Sequence, residues 1–300
     1  MKSSAMVFLL AFIALSASWG GFVLAPQLQL GRTPQEKVSG TESLYPVARA
    51  GLAVQGEEVY RSLGCVYCHS QQVGQDGVRV EVVLTDAGTN VLATLAALAN
   101  LNANLRKPEI LASLPKAIMQ VPTVAAADAI IKPLVAAGAK AQVDIVPAGT
   151  DISRGWGRRR TVAQDYAYDL PVQLGTRRAG PDLANVGLRQ PDVNWQLRHL
   201  YAPQVEVPGS TMPPYRFLFE ERKLKRGQQP SRDALPLTIE GKFFDVSKDT
   251  GPVDRELVPT DAARALAAYL VSLRADAPLF EAPFTPPPAP DAAATNSPAK

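Results

Sequence analysis

The first thirty residues form one long apolar segment. No charged residue lies between Lys2 and Arg32, and positions 6–24 are almost wholly hydrophobic. About 20 apolar residues are enough for a helix to span the hydrocarbon core of a bilayer, so this pattern predicts a transmembrane anchor over 1–31. A cleaved signal peptide is the alternative, with small residues at 16–18 suited to cleavage, although the apolar run continues past them. Both interpretations predict that the rest of the chain is exported.

Two amphipathic helices are predicted in the remainder of the chain. A linker over 32–52 leads to the first, in which Val59, Tyr60 and Leu63 have helical spacing and Gly64 is a C-terminal stop. The second lies near the C-terminus and places four apolar residues of 259–273 on one face: Leu266, Tyr269, Leu270 and Leu273. The chain is therefore predicted to be mainly α-helical.

Between the two helices, the pattern over 74–151 is typical of a small α+β domain. Strands are predicted at 78–84 and 141–146, and helices at 90–100, 108–113 and 125–137, in the order β-α-α-(β)-α-β. A disordered, Ala-rich insertion is the alternative, and the regular alternation of valines argues against it.

Composition limits the chemistry. The 300 residues include 31 Lys and Arg against 28 Asp and Glu, a net charge of +3 that is too small to indicate nucleic-acid binding. Two cysteines and two histidines exclude a multi-histidine metal centre, a disulfide framework and any zinc site beyond a single Cys2His2. Prolines cluster late, and the Pro- and Ala-rich residues 276–300 are predicted to be a disordered tail.

Both cysteines and one histidine fall into a single motif. Cys65, Cys68 and His69 form CxxCH, the attachment signature of a c-type haem. Two thiols three positions apart at a helix end can reach the two vinyl groups of one haem, and the adjacent histidine then faces the iron. A thioredoxin-like CxxC would follow a strand, whereas a helix is predicted here. A zinc site would need the distant His199, and a plain disulfide would leave His69 unexplained. One covalently attached haem c is predicted.

Three residues are candidates for the second iron ligand opposite His69: Met119, Met212 and His199. Prolines on both sides of Met212 favour a stiff, extended loop that suits the presentation of a thioether. Met119 lies in a pattern typical of packing, and His199 is interpreted as a helix-face histidine with a local hydrogen bond. A His/Met pair is favoured, and it would raise the reduction potential relative to His/His.

This arrangement resembles that of class I cytochromes c. In that family, the proline carbonyl of a segment such as 180–183 accepts a hydrogen bond from the proximal imidazole, which implies a contact between Pro181 and His69. Class I cytochromes also cross their C-terminal helix against the N-terminal one. By this resemblance the crossing lies near Gly56 and Tyr60, where glycine permits close approach.

Three segments make the resemblance more specific than class I cytochromes c in general. Residues 64–73, 166–183 and 195–220 carry CHSQ, RxGPDL, and HLxxP with VPGSxMP, and together they resemble the mono-haem subunit II of cbb3-type cytochrome c oxidases. The chain departs from that family at Gln196, where another histidine is frequent, and in an extra polar stretch at 221–229.

The resemblance to subunit II implies both a fold and a site. The fold is one membrane helix and a class I haem domain over 53–73 and 152–275, interrupted by the α+β insertion. The implied ligands of iron are His69 and Met212. Other implied haem contacts are the thioether anchors Cys65 and Cys68, the carbonyl of Pro181, and Arg177 or Arg178 toward a propionate.

The implied role is electron transfer. Two histidines cannot build a haem–copper centre, so the chain is not expected to be an enzyme on its own. Electrons are expected to come from a multi-haem cytochrome c subunit or soluble cytochrome c. They are expected to leave to the catalytic haem-copper subunit I in a bacterial inner membrane, with the haem domain on the periplasmic side. The alternatives are the tethered cytochrome subunit of a nitric oxide reductase, an exported thiol–disulfide oxidoreductase, and a non-redox scaffold.

The insertion at 74–151 resembles the C-terminal domain of the ribosomal stalk protein. That family binds translational GTPases through lysines on its first long helix. The corresponding positions here are apolar or small, at Val91, Ala96 and Ala99. The resemblance therefore implies the fold without the activity, and a spacer or docking module is expected.

Overall fold

The structure is a computed structural model that describes residues 2–30, 34–38, 42–106, 108–169, 171–225, 228–235, 238–239, 242–243, 255–279 and 282–283. Parts of the predicted linker, 32–33 and 39–41, lie outside the described residues. So do 280–281 and 284–300 of the predicted tail.

Helix is the main secondary structure of the described chain. The α-helices are α1 (Lys2–Trp19), α2 (Ala25–Leu30), α3 (Leu52–Ser62), α4 (Val91–Leu101), α5 (Val124–Ala136), α6 (Thr150–Ser153), α7 (Val186–Arg189), α8 (Val193–Tyr201), α9 (Pro203–Glu206) and α10 (Asp261–Ser272). The strands are β1 (Glu36–Lys37), β2 (Leu44–Tyr45), β3 (Gly77–Asp86), β4 (Lys116–Val121), β5 (Lys140–Ala148), β6 (Phe219–Lys223), β7 (Thr238–Ile239), β8 (Lys242–Phe243) and β9 (Arg255–Pro259).

The chain divides into two compact units. The first contains Met1–Gln72 and Thr161–Ala277, and the second contains Val73–Arg160 and the residues described beyond Ala277. The candidate ligands His69, Met212 and His199 all lie in the first unit. The predicted insertion lies in the second.

The N-terminal helix has the length and composition of a membrane span. A π-helical turn, Gly20–Leu24, joins α1 to α2. The segment Ser4–Gln29 contains an 18-residue window with a mean hydropathy of 2.1, and large apolar side chains such as Phe8 and Phe22 are exposed along it. Apolar side chains exposed on every side of a helix suit a lipid environment better than water, a property that a signal sequence shares.

The first unit is built around a close crossing of α3 and α10. A Cβ atom placed on Gly56 would lie 1.9 Å from the carbonyl oxygen of Ala265, so only glycine allows the two backbones to approach this closely. One turn later, the rings of Tyr60 and Tyr269 lie 5.2 Å apart between centroids. The crossing lies where the class I resemblance implies it. Around it lies the main core, which includes Leu183, Leu197, Leu200, Leu257, Leu266 and Leu273.

The second unit is an antiparallel three-stranded sheet with two helices. Its strand order is β4-β3-β5, with Val80 paired to both Val121 and Ile145. Leu84 of the central strand packs with Leu98 of α4 and Leu134 of α5 in a small core. The predicted helix at 108–113 is a 3-10 helix rather than an α-helix.

Candidate functional site

The CxxCH motif forms a tight turn directly after α3. Residues Cys65–Tyr67 are a 3-10 helix, and the amides of Cys68 and His69 both donate to the carbonyl of Cys65, at 3.1 and 3.0 Å. This turn places two thiols and an imidazole within five consecutive residues. Both cysteines are free; Cys65 is half-buried and Cys68 is exposed. The structure therefore does not show the plain disulfide.

A second segment, 174–183, runs alongside the motif and is fastened to it by backbone hydrogen bonds. These are Gln71 N–H to Leu174 (2.9 Å), Thr176 N–H to Val66 (3.0 Å), Gly180 N–H to Cys68 (2.9 Å) and Leu183 N–H to Ser70 (2.8 Å). More than 100 residues of sequence separate the two segments. The pairing brings the loop that contains Pro181 next to His69.

The imidazole of His69 is held through one of its two ring nitrogens. Nδ1 lies 2.8 Å from the carbonyl oxygen of Pro181, and because a carbonyl only accepts, Nδ1 carries the proton. Among the described residues, none hydrogen-bonds Nε2. Burial lowers the pKa of His69, while the Pro181 contact and the charge of Asp182 oppose that shift. A Cβ on Gly180 would lie 2.3 Å from the ring, so glycine is required beside it. The result is an oriented imidazole with its proton on Nδ1 and with no described residue bonded to Nε2, as metal ligation requires.

Asp182, the residue after Pro181, is fully buried. Its Oδ2 accepts from the Ser70 hydroxyl (2.6 Å) and the Gln72 amide (2.7 Å), and its Oδ1 accepts from the Ala184 amide (2.9 Å). The Asp182 backbone carbonyl accepts from the guanidinium of Arg189 at 2.5 Å. No role was predicted for Asp182 from the sequence, and nothing local to 180–183 indicates that its donors Ser70 and Gln72 lie more than 100 residues away.

Met212 lies in a restrained loop beside the core of the first unit. Its carbonyl accepts from Gln204 Nε2 at 2.8 Å, and its amide donates to Ser210 Oγ at 3.3 Å. The half-buried side chain packs against the same core cluster as Cys65 and Tyr215. Met119, by contrast, lies in strand β4 of the second unit.

His199 differs from its prediction. Its ring stacks on Trp195 with centroids 4.8 Å apart and planes within 7°. Its buried Nδ1 has no hydrogen-bond partner among the described residues, so the expected local hydrogen bond is wrong at this nitrogen. Burial, with a smaller effect of His69, lowers the pKa of His199 to about 4. The imidazole is therefore neutral near pH 7.

The two candidate propionate ligands have different surroundings. Arg178 is exposed but donates to the carbonyl of Gln72 and lies 3.9 Å from Asp182 Oδ2. Arg177 is exposed and makes no hydrogen bond or ion pair with a described residue. The guanidinium of Arg177 is therefore the one left available.

Comparison with known families identifies one segment. Residues 144–241 match the family model described as FixO, cytochrome C oxidase, mono-heme subunit/FixO. Over this segment, the chain is similar to a mono-haem oxidase subunit. The match covers about a third of the chain and includes Pro181 and Met212, but it does not reach the CxxCH motif. A search of curated proteins gave no match. The resemblance of the second unit to the ribosomal stalk domain stays a prediction.

The chemistry of the donor set fits a c-type haem. Two free thiols, one exposed, stand beside an imidazole whose Nε2 has no partner among the described residues, and a thioether lies in the same unit. Within the described ranges, no three His, Cys, Asp or Glu side chains form a group that could hold a metal ion, so a Cys2His2 zinc site is not formed there.

Proposed function

We propose that this chain is a membrane-anchored, mono-haem c-type cytochrome that passes electrons to the catalytic subunit of a cbb3-type haem-copper oxidase. The observation that carries the proposal is the hydrogen bond from His69 Nδ1 to Pro181, made by the histidine of a CxxCH turn. The match of 144–241 to a mono-heme oxidase subunit supports the same role.

Each site residue has one task in this proposal. Cys65 and Cys68 hold the haem by thioether bonds, and His69 and Met212 are the iron ligands. Arg177 is the partner of a propionate. When bound, the haem supplies a one-electron couple between ferric and ferrous iron. The chain supplies orientation, because the Pro181 carbonyl fixes the tautomer and raises the basicity of the proximal imidazole.

The apolar N-terminal helix gives the proposed location. A tether over 4–29 would keep the haem domain at the outer surface of the bacterial inner membrane, where the acceptor subunit is embedded. The donor would be a multi-haem cytochrome c subunit or soluble cytochrome c.

The thiol–disulfide alternative is disfavoured by the surroundings of the Cys65 thiol. Burial, with a smaller contribution from Cys68, raises the pKa of Cys65 to about 11. Reactive thiols in disulfide enzymes have a lowered pKa, because the thiolate is the nucleophile. The turn after α3 also lacks the preceding strand of a thioredoxin-like motif.

A denaturing gel stained for haem peroxidase activity tests the proposal. The full chain, expressed with a c-type haem maturation system, should be red and should stain at its own mass, since thioether bonds survive denaturation. Cys65→Ser and Cys68→Ser together should abolish the stain. The control is Ser62→Ala, a substitution at a position that is exposed like Cys68, and it should leave the haem stain unchanged. Colourless wild-type protein would contradict the proposal.

A further inference from the structure

The buried carboxylate of Asp182 joins the two segments that orient His69. Ser70 and Gln72 follow the histidine directly in sequence, and Asp182 follows the proline whose carbonyl receives the imidazole proton. Through Oδ2, at 2.6 and 2.7 Å, the carboxylate holds both donors of the first segment to the second. Any displacement of Asp182 therefore moves the Pro181 carbonyl relative to the ring.

Asp182 also places a charge near the imidazole. Its carboxylate is among the charges that act on His69, and it has no exposure to solvent that would screen it. Arg178 is a cation that faces the carboxylate, with nitrogen and oxygen 3.9 Å apart and the guanidinium exposed. The guanidinium of Arg189 binds the backbone carbonyl of Asp182, and its positive charge acts on His69 in the direction opposite to that of the carboxylate.

We propose that Asp182 is a positioning residue that holds the proximal histidine in its hydrogen bond to Pro181 and lowers the reduction potential of the bound haem. The inference rests on the proposed function of the chain. Asp182 touches neither iron nor haem in this scheme and acts through His69 and Pro181.

Both effects of Asp182 have the same sign. Ferric haem carries one more positive charge than ferrous haem, so a buried negative charge nearby favours the ferric form. The hydrogen bond from Nδ1 to a carbonyl makes the imidazole more basic, which also favours the ferric form. Removing the carboxylate charge and loosening the loop should therefore both raise the potential.

The decisive variant is Asp182→Asn. In the wild-type protein, Oδ1 accepts the Ala184 amide and Oδ2 accepts the Gln72 amide, so an asparagine must turn its NH2 group toward one of these N–H donors. The midpoint potential of the full chain, measured by spectroelectrochemistry, should rise. The rise should increase the ratio of reduced to oxidised haem at a fixed potential at least tenfold. For a one-electron couple that is about 59 mV.

Two further variants separate positioning from general stability. Asp165→Asn is the matched control, because Asp165 is also buried and accepts the Val162 amide (2.8 Å) and the Tyr45 hydroxyl (3.0 Å). It should lower the melting temperature without moving the potential. Ser70→Ala removes one hydrogen bond to Asp182 and keeps the charge, so it should raise the potential by a smaller amount.

The outcomes are distinguishable. Wild-type protein without haem would overturn the proposed function and this inference together. Wild-type protein with haem, and a potential that Asp182→Asn leaves unchanged or shifts equally in Asp165→Asn, would overturn the inference alone. If Asp182→Asn does not accumulate, Ser70→Ala decides: a raised potential supports the role of Asp182, and an unchanged one contradicts it.

Discussion

At the scale of single residues, the candidate site combines contacts between residues that are close in sequence with contacts between residues that are far apart in sequence. The turn from Cys65 to His69 is local, and its chemistry is visible in five letters of sequence. The hydrogen bond to Pro181 spans 112 residues, and its expectation came only from a family resemblance. Met212, His199 and Met119 were separated as candidates by flanking sequence, and the structure places Met119 in the other unit.

Met212→His tests the second ligand. The haem should remain covalently attached, because the thiols are unchanged, but the absorption spectrum should change. The midpoint potential should fall by at least about 59 mV, which corresponds to a tenfold higher ratio of oxidised to reduced haem at a fixed potential. The reason is that His/His ligation favours ferric iron relative to His/Met. Met119→Leu is the control and should leave spectrum and potential unchanged. An unaltered spectrum in Met212→His would show that Met212 is not a ligand.

The same distinction between local and distant contacts explains what could be predicted from the sequence. Glycine and proline at motif positions indicated the turn after α3 and the stiff loop around Met212. Asp182 was missed because its donors Ser70 and Gln72 lie 110 or more residues away. The Nδ1 of His199 has no hydrogen-bond partner among the described residues, and this was missed: helical spacing places Trp195 one turn from His199, but the burial of that nitrogen depends on how α8 packs in the unit.

At the scale of elements, helix periodicity located α3 and α10. The prediction of a juxtamembrane linker over 32–52 did not include its contacts with the first unit. Part of the segment predicted as a juxtamembrane linker is fastened to the first unit. The Tyr45 hydroxyl donates to Asp165 at 3.0 Å, and Arg49 pairs with Asp169 and donates to Ser272 Oγ at 3.1 Å. These partners are 120 or more residues away, so local sequence carries no sign of them.

Gly56→Ala tests the crossing of α3 and α10. Alanine favours a helix by about 1 kcal/mol over glycine. Its Cβ would, however, lie 1.9 Å from the Ala265 carbonyl oxygen, and overpacking typically costs about 1–3 kcal/mol or more. We expect a net loss of stability, measured as a lower midpoint of thermal unfolding followed by Soret absorbance. Gln55→Ala, at an exposed neighbouring position of the same helix, should change the midpoint little. An unchanged or raised midpoint in Gly56→Ala would contradict the close crossing.

At the scale of the whole molecule, every proposed haem contact belongs to the first unit. The second unit, by contrast, has its own sheet and its own cores. Its first and last strands are neighbours, since Gly77 of β3 pairs with Ala148 of β5 and the Asp76 amide donates to the Ala148 carbonyl at 2.9 Å. The chain therefore leaves and returns at adjacent points, as expected for a domain inserted into a loop.

Replacing 75–150 with a short Gly/Ser linker tests the independence of the haem site. The linker must join Gly74 to Asp151, and because the Gly74 amide donates to Asp151 Oδ2 at 2.6 Å, the two ends already lie close enough for a few residues to connect them. The shortened chain should keep its covalent haem, spectrum and potential, since Cys65, His69 and Met212 lie outside the deletion. Loss of the haem would mean that the second unit is needed to form the site. Co-purification with a copper-containing catalytic subunit, compared between the full and shortened chains, then gives the role of the second unit. If the shortened chain keeps its haem but no longer co-purifies with that subunit, the second unit is a docking module. If it still co-purifies, the second unit is a spacer.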